Sequence, residues 1–359
     1  MKLSKIALAS ASALLLTTAL SNAQTTVGGN MRVGLKATSS EFAGRGSDSM
    51  MTKETQINIA NKGKLNVGGL EYAAGFALEM DGTDTGGAGM HYENNYINII
   101  NASSGTTLHF GSDHIKPTDV QLSDIVAGAV RTDHVARGAA STSAGVAVYA
   151  TSHATISGKG EQEAFGIGLI QDVGKIGQIR AIYSPDPSGT ASAQDDVGST
   201  INGTVGQNSI KSFAFSGSLG VPGLTVLYGQ LDQADSGSIK GLDIDTYGAK
   251  YTIGQFTAAY QKADGTTDTT GMKADSKEYG LAYAATKDLT IGVAQIKTKL
   301  SGTITSGFGS AVNEKITGIN IGYSLGPVAL QVLASKVDDA AGVAGQDGKA
   351  VHVSLGTTF

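Results

Sequence analysis

The side chains of this sequence that could do chemistry are charged groups scattered along the chain, and none falls into a catalytic spacing. Histidines stand at His91, His109, His114, His134, His153 and His352, and none has the helical H-E-x-x-H spacing that seats zinc. His109 and His114 would lie on opposite faces of a regular strand, so they do not converge on one metal. The sequence contains no cysteine, which removes thiolate nucleophiles, Fe–S sites and disulfides. No G-x-S-x-G elbow, Walker loop or G-x-G-x-x-G before a helix occurs. The residues therefore imply no enzyme, no metal and no cofactor.

What remains is opposed charge. Asp113, Asp119 and Asp124 open the longest stretch without regular patterning, and Arg131 and Arg137 follow within it. Arg32, Lys36, Lys62, Lys64, Arg180 and Lys250 occupy the polar positions of alternating segments elsewhere. Carboxylates and cations held across a narrow water-filled gap create a transverse field that orients dipolar solutes. Left in open solvent, the same groups are ordinary surface charge. Which of the two applies depends on the elements that carry them.

Those elements are strands. Leu70, Tyr72, Ala74, Phe76 and Leu78 alternate with Glu71, Gly75 and Glu79, and Ile319, Ile321, Tyr323 and Leu325 alternate with Asn320, Gly322 and Ser324. The same period of two runs through 27–36, 165–169, 247–253 and 351–359. The 50 glycines would cost a helical protein roughly 1 kcal/mol at each interior position, whereas strands and turns absorb them. After Leu20 no apolar run is long enough to be a spanning helix. A soluble sandwich would carry Lys and Glu on its outer faces. Here the polar face is mostly Gly, Ser, Thr and Asn, which suits a water-filled lumen inside an apolar exterior.

The connections set the strand number. Tight turns fall at Val67-Gly68-Gly69, Ser103-Ser104-Gly105, Gly174-Lys175-Ile176-Gly177, Gly220-Val221-Pro222-Gly223, Gly254, Lys287-Asp288 and Gly326-Pro327. They alternate with longer polar stretches at 37–52, 81–91, 114–163, 186–208, 233–241, 265–274, 301–313 and 338–348. The reading is an all-β, transmembrane, antiparallel up-and-down barrel of about 16 strands, with short periplasmic turns and long external loops. A further alternating segment, Gly145 to Ser152, is assigned to the third long loop, because single-chain bacterial barrels have even strand numbers. Eighteen strands is the alternative. Tyr183, Tyr228, Tyr247, Tyr251, Tyr260, Tyr279, Tyr283 and Tyr323 are expected on outward faces, as interfacial girdles require.

Lys2 and Lys5, the apolar run Ile6 to Leu20 and the small residues Ser21-Asn22-Ala23 read as a signal peptide over 1–23, leaving 24–359 as a single barrel. Loss of both lysines makes the formal charge of -5 two units more negative, which argues against a nucleic-acid partner.

Several segments resemble a known family. Thr25-Thr26-Val27-Gly28-Gly29-Asn30-Met31-Arg32-Val33 looks like the first mature strand of a Gram-negative general porin. Gly105-Thr106-Thr107-Leu108-His109-Phe110-Gly111 is similar to that family's glycine-ended fifth strand, and Phe359 to its aromatic final residue. The resemblance implies an outer-membrane trimer passing small hydrophilic solutes. It also implies a third loop, 114–163, folded into the lumen with its acids facing basic wall residues. Phe359 would then be the signal to the barrel-assembly machinery, and membrane lipid with lipopolysaccharide would surround the barrel. Two departures matter. Ser112 stands where many relatives have a basic residue, and no Pro-Glu-Phe tip occurs in His114-Ile115-Lys116-Pro117-Thr118-Asp119-Val120-Gln121-Leu122-Ser123-Asp124.

On this reading Asp113, Asp119, Asp124, Arg131 and Arg137 line the constriction. Arg32, Lys36, Lys62, Lys64, Arg180 and Lys250 line the wall. The acid excess points to weak cation preference. A substrate-specific channel and a structural or adhesive surface protein are the alternatives. Asp81, Asp84, Asp235, Asp243 and Asp245 could bridge lipopolysaccharide through divalent cations, although acids in turns are usually just solvated.

Overall fold

A computed structural model describes residues 14–16, 23–40, 48–80, 91–111, 166–184, 209–234, 242–267, 272–301, 313–339, 344–345 and 347–359. The barrel strands are β1 (Gln24–Ser40), β2 (Asp48–Lys64), β3 (Glu71–Glu79), β4 (His91–Asn101), β5 (Thr106–Gly111), β6 (Gly166–Asp172), β7 (Gln178–Ser184) and β8 (Ile210–Gly217). The second half comprises β9 (Leu224–Gln233), β10 (Leu242–Ile253), β11 (Phe256–Thr267), β12 (Met272–Ala284), β13 (Leu289–Ser301), β14 (Asn313–Ser324), β15 (Val328–Asp338) and β16 (Gly348–Thr358). Each strand pairs antiparallel with its neighbour in sequence, and β16 returns to β1 with Thr358 opposite Asn30 and Gly348 opposite Ser40. The ring thus closes on 16 strands. β5 pairs directly with β6 from Thr106 opposite Gln171 to Gly111 opposite Gly166. The segment from Gly145 to Ser152 lies outside the described residues.

All seven tight turns fall where expected, on one rim. The two-residue link between Ile253 and Phe256 shows why glycine is needed there: Gly254 has φ 58°, a left-handed conformation that other residues adopt at a cost. The opposite rim departs from the sequence reading at two places. β1 and β2 extend to Ser40 and Asp48, well into the stretch read as a loop over 37–52. β11 and β12 stay paired up to Thr267 opposite Met272, so the sixth long loop shrinks to residues 268–271. Polar side chains on both faces look like a loop in sequence. The backbone ladder continues regardless, because its hydrogen bonds do not depend on side-chain polarity.

Leu14–Leu16, assigned by sequence to the signal peptide, forms a short strand against Thr25–Val27. It occupies the part of the β1 margin that the C-terminal strand leaves uncovered below Gly29.

Burial separates the two faces of the ring. Leu35 is 51% exposed, Leu281 49% and Ile319 49%, while Thr246 and Ser276 are 0% and Gln261 1%. A soluble protein hides the first set and shows the second. Here the convex face is apolar and splayed, and the concave face is polar and crowded.

Candidate functional site

Register fixes which side chains share the concave face. From β16 opposite β1, His352 pairs with Lys36, Ser354 with Gly34 and Gly356 with Arg32. From β1 opposite β2, Arg32 pairs with Glu54, and their side chains form an ion pair at 3.6 Å. Lys62 and Lys64 lie on the same face opposite Ala73 and Glu71. Arg180 lies opposite Ile170, and its Nε donates to Gln178 Oε1 at 2.9 Å; Gln178 in turn donates to Asp172 Oδ1 at 2.7 Å. Lys250 lies opposite Ala259 on β11 and Thr225 on β9, also on the concave face.

These cations do not gather at one level. Lys62, Lys64, Arg180 and Lys250 sit close to the short-turn rim, and β2 and β10 stand half a ring apart. Arg32 lies opposite Glu54, roughly 27 Å along the strand from Lys62. Lys36 lies two same-face steps further toward the long-connection rim, beyond Gly34. Asp113, Asp119, Asp124, Arg131 and Arg137 lie outside the described residues, as does the fold of 114–163.

The concave face also carries groups that sequence reading passed over. Glu54, Glu71, Glu79, Asp172, Glu278 and Glu314 share it with the six cations, and register puts Asp48, opposite Thr38, and Glu93, opposite Ala77, at positions of the same face, so acidic positions outnumber basic ones there. Glu314 is 1% exposed and Glu278 8%. Their signal was parity, since Glu314 is in phase with Asn320 and Glu278 with Ala282. His109 is fully buried, with Nδ1 at 2.7 Å from Asn98 Oδ1. His352 Nε2 lies 2.8 Å from Thr52 Oγ1, bridging β16 to β2 across the intervening β1.

The apolar phase of the strands flips part-way along them. On β13 the outward residues Ile291 and Val293 give way to Gln295, Lys297 and Lys299, while inward Thr290 and Gly292 give way to Ile296. On β14 outward Ile319 and Ile321 give way to Lys315, and inward Asn320 to Ile316. On β10 outward Tyr247 and Tyr251 give way to Asp243 and Asp245, and inward Lys250 to Ile244. Ile296, Ile316, Leu333, Val337 and Ala350 form a buried cluster on the concave side near the long-connection rim. Below the flip the outside is oily and the inside wet, and above it the outside is charged. The flip therefore marks the upper edge of a hydrocarbon layer.

The aromatic residues agree. Tyr183, Tyr228, Tyr247, Tyr251, Tyr279 and Tyr323 are all exposed on the convex face. Tyr260 and Tyr279 meet at 5.3 Å, and Phe256 and Tyr283 stack at 4.8 Å. A shallow hollow of about 420 Å³ lined by Ile59, Phe76, Ile97 and Phe110 opens on the convex face of β2–β5, away from the charged wall. Its lining suits an acyl chain better than a hydrophilic solute.

The family model described as Gram-negative porin matches residues 9–302. The chain belongs to the Gram-negative porin family. It is an outer-membrane channel, integral to that membrane through its β-barrel. Among solved structures, the anion-selective porin of Comamonas acidovorans is similar over 94% of this chain and 100% of its own, with TM-score 0.67 and 14% identity. A mutant porin of Rhodobacter blastica is similar over 93% and 100%, with TM-score 0.62 and 17% identity. The outer-membrane-expressed OmpT of Vibrio cholerae is similar over 96% and 100%, with TM-score 0.61 and 11% identity. At these identities the likeness is one of fold. No curated protein sequence matches the chain. The porin assignment accounts for the inverted faces, because a pore in lipid needs a wet wall inside an oily one.

Proposed function

We propose that this porin is a passive diffusion channel for small hydrophilic solutes and ions, weakly cation-preferring and assembled as a homotrimer. The observation that carries the reading is the closed ring whose concave face is polar and charged within an apolar exterior. Acidic positions outnumber basic ones on that face, and the chain as a whole carries an acid excess, so the bias falls toward cations. Asp113, Asp119 and Asp124 are assigned to the constriction with Arg131 and Arg137, facing Arg32, Lys36, Lys62, Lys64, Arg180 and Lys250 across the lumen. Phe359 is assigned as the signal for the barrel-assembly machinery.

Planar-bilayer recording of the purified protein under a salt gradient tests this. Stepwise conductance with a cation-side reversal potential is expected, and absence of steps would refute the channel. Asp119→Asn with Asp124→Asn should move the reversal potential toward anions. An unmoved potential would place the constriction elsewhere. The trimer should run as a heat-modifiable, detergent-resistant band.

A further inference from the structure

On the convex face of β11–β14 the register sets lysines directly opposite one another: Lys262 faces Lys277, Lys277 faces Lys297, and Lys297 faces Lys315. Lys299 stands one step further up β13. Like charges directly opposed across a ladder destabilise a sheet, so such a row calls for anions. At the two ends of the row the protein supplies them. Lys262 is paired with Asp264 at 2.7 Å and Asp275 at 3.6 Å, and Lys315 lies 4.0 Å from Asp338. In the middle it supplies less: Asp275 stands opposite Lys299 in register, but its carboxylate is within ion-pair distance of Lys262. Among the described residues no carboxylate comes within salt-bridge distance of Lys277, Lys297 or Lys299, all three of which are exposed. The connection that joins β13 to β14, 302–312, contains no acidic residue either.

The position of the row indicates what should fill the gap. On β12 the outward stripe Tyr283, Leu281, Tyr279 ends at Lys277; on β13 Leu289, Ile291 and Val293 end after Gln295 at Lys297; on β14 Tyr323, Ile321 and Ile319 end after Thr317 at Lys315. The row therefore stands just above the phase flip, at the depth where acyl chains give way to headgroups on the long-connection side. From Leu289 to Lys297 the rise is about 20 Å for a strand tilted by some 40°. Aliphatic lysine stems lie well along such a boundary and carry the ammonium groups into the polar layer. Strand spacing puts Lys277, Lys297 and Lys315 within about 10 Å of one another, a span that one headgroup with two phosphates covers. One step toward the hydrocarbon, Tyr279, Gln295 and Thr317 form a parallel row of hydrogen-bonding groups.

We propose that Lys277, Lys297, Lys299 and Lys315 bind the phosphate groups of an outer-leaflet glycolipid, making β12–β14 a lipid-holding face of the barrel. The site depends on the outward face meeting lipid and not on what the pore conducts, so normal conductance would not rescue it and altered selectivity would not sink it.

The test is native mass spectrometry of the full folded protein in detergent, titrated with lipid A bearing two phosphates. EDTA is included so that no divalent cation bridges to Asp243 or Asp245. The variant Lys277→Gln, Lys297→Gln, Lys299→Gln should retain at least tenfold less of this lipid than the parent, as loss of three headgroup-level cations implies. The control Lys53→Gln, Lys349→Gln, on other strands, should retain as much as the parent. Heat-modifiable gel mobility confirms that every variant has kept its barrel. Equal retention by the triple variant would overturn the proposal, as would an equal loss in the control. Displacement of bound lipid by millimolar inorganic phosphate would overturn the lipid assignment, since the lysines would then be a free-anion site.

Discussion

At the scale of single residues, the seam where the barrel closes depends on two glycines of β1. A Cβ on Gly34 would lie 2.6 Å from His352 Nε2, 2.7 Å from the Val353 carbonyl oxygen and 2.8 Å from Thr52 Oγ1. The absence of that carbon lets the His352–Thr52 hydrogen bond pass over β1 and tie three strands together. Gly34→Ala should therefore remove the bond and push against backbone, costing about 1–3 kcal/mol. His352→Ala should cost only the bond, about 1 kcal/mol. The urea midpoint of the heat-modifiable band measures both, and equal losses would show that the close approach at Gly34 is not under constraint. Gly29 plays the matching role at the lower rim. It exchanges backbone hydrogen bonds with Phe359 at 2.9 and 3.0 Å, and a side chain there would run into the Phe359 ring.

At the scale of strands, the lower rim was legible in the sequence and the upper rim was not, for one physical reason. Below the membrane each turn must reverse the chain in a few residues, so glycines such as Gly68, Gly69 and Gly105 mark it. Above the membrane both faces of a hairpin meet polar surroundings, so alternation vanishes while pairing persists. That is why Lys273 and Thr266 read as loop and prove to be ladder. The phase flip hid Ile296, Ile316 and Leu333 in the same way, because apolar residues that change face mid-strand break the period of two. The parity of Arg32, Lys36, Lys62, Lys64, Arg180 and Lys250 was legible, because each falls out of phase with the oily stripe. Their different heights were not, since height depends on register between strands. A consequence is that the top of the β11–β12 hairpin is dispensable. Replacing residues 264–275 by Asn-Gly leaves Ala263 opposite Ser276 as the last pair, joined by a favoured two-residue turn. The shortened protein should insert, show heat-modifiable mobility and conduct as before, because the apolar band ends at Tyr260 and Tyr279. Loss of insertion would mean that the extension guides assembly.

At the scale of the whole molecule, the assignment of oily outside and wet inside can be tested by one substitution placed on each face of one strand. Val293 sits on the convex face of β13 between Leu289 and Lys297, near the middle of the apolar band, and is 43% exposed. Thr290 lies on the concave face of the same strand, opposite Gly322. An arginine at Val293 must hold its charge in hydrocarbon, which costs about 2–4 kcal/mol at the bilayer midplane and less toward either interface. An arginine at Thr290 meets water, so its charge should leave stability nearly unchanged and act on permeating ions instead. Val293→Arg should therefore lower the urea midpoint in lipid while channels from the surviving folded protein keep their reversal potential. Thr290→Arg should keep the midpoint and move the reversal potential toward anions. The crossed design separates the two roles of the barrel, because stability reports the outer face and selectivity the inner one. The opposite pattern, with Val293→Arg altering selectivity and Thr290→Arg destabilising the fold, would turn the barrel inside out and remove the basis for reading its polar wall as a pore.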